Sequence, residues 1–522
     1  MNLSKTYIRV PMYKNSASVQ MTLDNDFNVP DTKPDIERLI QEKGVLHIRD
    51  IKPIKDKCII RGELAFGVLY MGDEGSDQLQ SIEGTIPFEE TINMDGLQEM
   101  DQLSVRWDME DLRTGMINSR KISVRSIVVL HVTAVRMGEE EVATAMEDGE
   151  DLWAQNRSCT LSQRWISQKD QLRIREEAAI PANRPNMMDI IWHQENFENL
   201  EMKLQDGGVL IRGQLSVFLL YRDETLENPV NDVELNVPVD GRIDLSDVTQ
   251  EMIPDIKIYM DHLNLDIRSD KDGEARVVGV EAVLAAEMNI YQEETLNLLQ
   301  DIYSPKVTLI PERKQIRMDN LVLKNQSRCP VREKVHLGSE GVRMLQICHT
   351  KASVKIDQTE VSEEGILVEG VVYLGILYIA ADDRKPVNSA KAAVPFSYTV
   401  EAENIGPEDS YDIFPSLEQL SATMTDNDEI EVKMIISLDA SIFKSTNVQI
   451  VTQVREEPLD FEKIEAMPGM TGHVVTEGDS IWTLAKKYYA SPEDIREVNE
   501  LTGDELTVGQ PILVMKNMEI LK

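Results

Sequence analysis

Apolar residues alternate with polar or small ones over most of the chain, and one such stretch occurs three times. Residues 59–70 place Leu64, Phe66, Val68 and Tyr70 two apart, with Glu63, Ala65 and Gly67 between them. Successive side chains of a strand point to opposite faces, so this text predicts a strand with one buried face. The pattern returns after Arg212-Gly213 as Leu215, Val217, Leu219 and Tyr221. It returns again after Glu369-Gly370 as Val372, Leu374, Ile376 and Tyr378.

The landmarks around this strand keep step. Gly62, Gly213 and Gly370 are 151 and 157 residues apart, and so are the triplets Ile86-Pro87-Phe88, Val237-Pro238-Val239 and Val394-Pro395-Phe396. A period this long is a domain rather than a solenoid unit. Within a copy, the text predicts strands over 18–27, 81–91, 103–112 and 121–135, a turn at Gly72–Gly75 and a short helix over 34–41 carrying Ile36, Leu39 and Ile40. The acidic stretch 139–151 reads as a linker or edge loop. No helix pattern is long enough for the crossovers of a parallel sheet. The expected fold is therefore mainly β: three tandem antiparallel β-sandwich-like domains, each with one short helix, over 1–152, 153–302 and 303–455. The stretch 456–470 has charges, two prolines and a glycine without periodicity, and reads as a linker.

The pattern changes after it. Ile481, Leu484, Ala485 and Tyr488 recur at helical spacing behind the turn Gly478-Asp479-Ser480, and this spacing places Trp482 and Tyr488 in a core. Ser491-Pro492-Glu493-Asp494 opens a second helix with a cap, a proline at the first position and two acids at the positive end of the dipole. With strands before and after, 471–517 predicts a small α+β domain of βααβ order.

Composition narrows the function. A net charge of −38, from 92 acidic and 54 basic residues, argues against nucleic acid or an anionic bilayer as a general partner. No apolar run is long enough for a transmembrane helix, and the N-terminus has no signal-peptide core, so a cytoplasmic location is expected. Cys58, Cys159, Cys329 and Cys348 form no CxxC pair, and the seven histidines fit no metal spacing. No nucleophile elbow, phosphate loop or dinucleotide fingerprint is present. The sequence predicts no enzyme, no cofactor and no metal.

Residues 472–516 closely resemble the LysM family through Val475, Gly478-Asp479-Ser480-Ile481-Trp482, Leu484-Ala485, Tyr488, Asn499, Gly509-Gln510 and Leu513-Val514. The resemblance implies a shallow groove for N-acetylglucosamine polymers such as peptidoglycan, between the loop before the first helix and the loop after the second. Carried over, the first loop is Gly478, Asp479, Ser480 and Ile481, and the second is Thr502, Gly503, Asp504, Glu505 and Leu506. The family has Asn or Asp followed by Pro in that second loop, and this chain does not. The repeats ahead of it resemble the SPOCS-domain spore-coat morphogenetic proteins of spore-forming Firmicutes. That resemblance implies a non-enzymatic scaffold protein of the mother-cell cytoplasm, at the forespore surface. There it would join a spore-coat ATPase scaffold through LysM and support coat encasement. A peptidoglycan-binding, cell-wall-associated protein is the alternative.

Overall fold

The protein, seen in a computed structural model, is described over residues 3–517 apart from 74–78, 147–150, 225–229, 337–342, 382–385, 404, 407–408 and 427. Each repeat is six strands in two antiparallel three-stranded sheets. The first comprises β1 (Leu3–Asn28), β2 (Ile36–Ile54), β3 (Lys57–Gly72), β4 (Leu79–Asn93), β5 (Gln102–Asn118) and β6 (Lys121–Met146). One sheet has the order β1-β6-β5 and the other β2-β3-β4. The second repeat, β7 (Trp153–Ala179), β8 (Met187–Gln205), β9 (Gly208–Asp223), β10 (Asn231–Asp244), β11 (Ile253–Ser269) and β12 (Ala275–Tyr303), copies this order. So does the third: β13 (Thr308–His336), β14 (Met344–Ser362), β15 (Gly365–Ala380), β16 (Val387–Glu401), β17 (Ser410–Met424) and β18 (Glu429–Glu457).

The thrice-written strand is the middle strand of the small sheet, and its alternation is realised. Leu64, Phe66, Val68 and Tyr70 are buried against Ile122, Val124, Val128 and Leu130 of the long sheet. The glycine ahead of it and the apolar-Pro-apolar triplet explain each other. Gly62 pairs with Phe88 and Gly370 with Phe396, and each ring lies across its glycine. A Cβ at Gly62 would run into the His47 carbonyl and the Phe88 ring, and one at Gly370 into the Lys355 carbonyl and the Phe396 ring. Pro87 is tolerated because β4 is an edge strand.

The short helix expected over 34–41 is strand instead. β2 slips register between Ile36 and Arg38 and again between Leu39 and Gln41. The first bulge adds one residue to the period of two, so Ile36 and Leu39, three apart, both turn to the sandwich core while Ile40 faces the cluster shared by the repeats, a spacing that imitates a helix. The acidic stretch from 139 is strand too: Glu139, Glu140 and Glu141 pair along β1, and Lys5 and Lys314 hold Glu141 and Glu140 at 2.7 and 2.6 Å. Part of the expected turn at Gly72–Gly75 lies outside the described residues. The stretch 456–470 holds a helix, α1 (Phe461–Ala466), with Ile464 fully buried. The ammonium of the buried Lys516 donates to the carbonyls of Ile464 and Met467 at 2.8 and 3.0 Å. Six residues are too few for a period to show in the text.

The three repeats close on one another. Leu69, Leu220 and Leu377, at the same position of each repeat, meet in one apolar cluster with Ile40, Ile191 and Cys348, which are also equivalent. At the far ends of the long sheets Val10, Leu161 and Met318 form a second shared cluster with Ile8, Cys159 and Ile316. The long strands bulge at Met12, Trp165 and Val322, where each leaves its own sandwich core and enters the shared one. Polar contacts seal every seam. Arg38 of the first repeat donates to Asn388 and the Val387 carbonyl of the third, the His349 ring stacks 4.2 Å from Phe218, and Lys43 donates to the His193 carbonyl at 3.0 Å. Arg106 and Lys257, equivalent residues of the first and second repeats, share Asp412 of the third. Burial pushes the Asp412 carboxyl up, but the two cations overcome it and hold it well below the carboxylate range.

Candidate functional site

The C-terminal module is β19 (Met470–Val474), α2 (Ile481–Tyr488), α3 (Pro492–Val498) and β20 (Pro511–Met515), with the two strands paired antiparallel. Local chemistry fixes both helix starts. Ser480 caps α2 and forms a reciprocal capping box with Thr483, while Ser491 caps α3 ahead of Pro492. Tyr489 ends α2 in the left-handed region. Asn499 ties α3 to the last strand through Leu513, donating to its carbonyl and accepting from its N–H at 2.7 Å each. Val475, Ile481, Leu484, Ala485, Ile495, Ile512 and Val514 fill the core.

The two expected groove loops have different characters. Gly478 sits at φ 89°, a left-handed conformation that suits glycine, and is exposed. Asp479 is a structural anchor: its carboxylate accepts from the Thr476 N–H and hydroxyl at 2.8 and 2.7 Å and meets His473 Nε2 at 2.7 Å. The His473 contact first, then Thr476, holds its pKa far below the carboxylate range. Ile481 is 2% exposed and points into the core, so only its backbone reaches the loop face. In the second loop Thr502, Gly503, Asp504 and Glu505 are exposed, while Leu506 packs on the module core. Asp504 is held by Arg496 at 2.7 Å, and Glu493, Asp494, Glu497 and Glu500 are exposed on the adjoining helix and its end. Burial and the neighbouring carboxylates Glu493 and Glu497 push the Asp494 carboxyl up, the mark of a crowded acidic rim.

The structure adds a contact that the module's own text does not announce. Trp482 is half-buried, and its indole Nε1–H donates to Asp301 at the end of β12 at 2.9 Å. Lys486, one turn later, reaches both oxygens of the same carboxylate at 2.9 and 2.8 Å. Tyr303 packs edge-on to Trp482 and stacks on Trp153. The outer face of α2 is thus docked on the second repeat, while Gly478 and 502–505 stay exposed. Helical spacing alone places Trp482 on a covered face without saying which domain covers it.

Among the described residues no helix is long and apolar enough to cross a membrane, and no group of His, Cys, Asp and Glu has the arrangement of a metal site. No curated protein and no solved structure matches the chain. Family comparison does match: the family described as SipL, SPOCS domain, aligns to residues 35–117, 186–268 and 343–425, and LysM domain to 473–514. Each SPOCS match spans the second to fifth strands of a repeat and leaves out the long first and last strands that build the shared cluster. SPOCS and LysM are non-catalytic binding domains, and together they fit a sporulation coat-associated, peptidoglycan-binding protein. The chain has a SipL-like architecture, three tandem SPOCS domains followed by one C-terminal LysM domain.

Proposed function

We propose that the chain is a non-enzymatic coat morphogenetic scaffold of the mother-cell cytoplasm, in which the SPOCS repeats carry the LysM module and the module docks on the coat's ATPase scaffold at the forespore surface. The observation that carries this reading is the acidic rim of the second loop. Glu493, Asp494, Glu497, Glu500, Asp504 and Glu505 are exposed along α3 and the second loop, with Arg496 between Glu493 and Asp504, where the family has Asn or Asp followed by Pro in that loop. A neutral glycan gains little from six carboxylates, whereas a basic protein surface is drawn to them. Residues Gly478, Asp479, Ser480, Ile481 and 502–506 are the proposed contact loops, with Ile481 contributing backbone only.

Peptidoglycan binding through the same loops is the second reading, favoured by the exposure of Gly478 and 502–505. Titrating the full chain against the purified coat ATPase scaffold and against purified sacculi separates them. The scaffold reading expects capture of the ATPase, weakened about tenfold by Glu505→Lys. Capture of sacculi alone, indifferent to that charge reversal, would replace it with the glycan reading. A fluorescent fusion should appear around the forespore during sporulation, and uniform expression in growing cells would contradict the proposal.

A further inference from the structure

At the level where the long strands bulge, a cavity of about 150 Å³ opens between the three repeats. One side is apolar, formed by the equivalent residues Val10, Leu161 and Met318. Tyr291 and Phe443, with ring centroids 5.5 Å apart, wall it. Three cations line it as well: Arg9, Lys14 and Arg164. Asp319 is the lining carboxylate, and it is already engaged by the Ser445 hydroxyl at 2.6 Å and by Arg317 at 3.4 Å.

Arg164 lacks the carboxylate partner that several other cations at the seams of the repeats have. Arg106 and Lys257 share Asp412, and Lys324 lies 2.9 Å from both Asp255 and Asp439. Arg164 donates only to the neutral Gln102 side chain, at 2.9 Å, and meets no carboxylate at ion-pair distance among the described residues. Exposed Lys14 likewise meets no carboxylate at ion-pair distance among the described residues, while Arg9 lies over the Trp165 ring and 3.8 Å from Glu139. In a chain of net charge −38, a half-buried guanidinium beside a partly apolar cavity, with no acid at ion-pair distance, is a vacant half of an ion pair.

We infer that this cavity binds a small organic monoanion with a compact apolar body, a carboxylate on a single ring or a branched chain. A cavity of about this size holds one benzene-sized body. The carboxylate would take the paired N–H groups of Arg164, the geometry a guanidinium fits best, and the body would lie against Val10, Leu161 and Met318.

Benzoate is the probe, with benzyl alcohol as the same ring without charge and acetate as the charge without the ring. In calorimetric titration of the full chain, benzoate is expected to bind about tenfold or more tighter than either control, and to raise the melting temperature with concentration. Arg164→Gln keeps a group able to bond Gln102 and is expected to lose about tenfold in benzoate affinity. Lys14→Gln, at an exposed position, is expected to lose less and serves if Arg164→Gln fails to fold. Absence of saturable benzoate binding, equal binding of benzyl alcohol, or unchanged benzoate affinity in the folded variants would overturn the assignment.

Discussion

Trp482 and Asp301 lie 181 positions apart in the chain and share a hydrogen bond of 2.9 Å. This one contact turns a module on a tether into a module with a fixed bearing. Lys486 doubles it, and the Trp153–Tyr303 stack gives the indole an apolar bed. Burial pushes the Asp301 carboxyl up, but Lys486 and Trp482 overcome this and hold its pKa below the usual range. A carboxyl lowered in the folded state contributes stability that is full above its unfolded pKa of about 3.9 and is lost as the pH falls through the lower folded value. The docking is therefore expected to hold at neutral pH and to loosen in acid.

The glycines ahead of the repeated strands separate close approach from mere repetition. Gly62→Ala and Gly370→Ala force a Cβ against a backbone carbonyl and a phenylalanine ring, whereas a Cβ at Gly213 first meets the Leu200 Cα at 3.0 Å, opposite the smaller Val239. Urea unfolding should show losses of about 2 kcal/mol or more for the first two substitutions and clearly less for Gly213→Ala. Equal losses at all three positions would contradict the ring-over-glycine account.

Ile481 and Asp479 are expected to act through stability before binding. Ile481→Ala removes a core side chain and should cost about 2–5 kcal/mol in a small domain, read as early melting of the module by Trp482 fluorescence. Asp479→Ala frees the Thr476 N–H and hydroxyl and His473 together. The depressed Asp479 pKa means that its support is present at neutral pH and lost on acidification. The variant and the native module should therefore converge in stability as the pH falls, and a constant difference down to strong acid would count against the anchor role.

Between the repeats, burial lowers the Lys351 ammonium to about 8, with Glu42 opposing. Its Nζ donates to the Glu42 carbonyl at 2.9 Å. The unfolded chain keeps that proton up to about 10.4, so between roughly 8 and 10 the unfolded state binds more protons and this group's contribution rises with pH. Comparing urea midpoints at pH 7.5 and 9.5, Lys351→Met should remove that rise. An identical pH dependence in both proteins would refute it.

Much of the fold was legible because strand alternation in the repeats is regular: Leu64, Phe66, Val68 and Tyr70 bury as their spacing requires. The βααβ order of the module was legible for the same kind of reason, since Ser480 and Ser491 cap in fact what they cap in text. The errors arose where one period imitates another. The bulges of β2 made Ile36, Leu39 and Ile40 look helical, and the charge of Glu139 to Glu141 hid a strand. The candidate loops were readable by position, but which side chains face outward was not. Ile481 follows the helix inward, and Asp479 turns to Thr476 and His473. Closure of the repeats depends on residues such as Arg38 and Asn388 that only the folded chain brings together.

Hydrogen exchange of the full chain and of Asp301→Ala at neutral pH tests the docked module most directly. The account predicts that segments 296–303 and 481–488 are protected together in the native chain, and that the substitution speeds exchange of both about thirtyfold, the loss of roughly 2 kcal/mol of charged hydrogen bonding, while 64–70 is unchanged. If 481–488 exchanges at the same rate in both proteins, the module swings free of the repeats and the account fails.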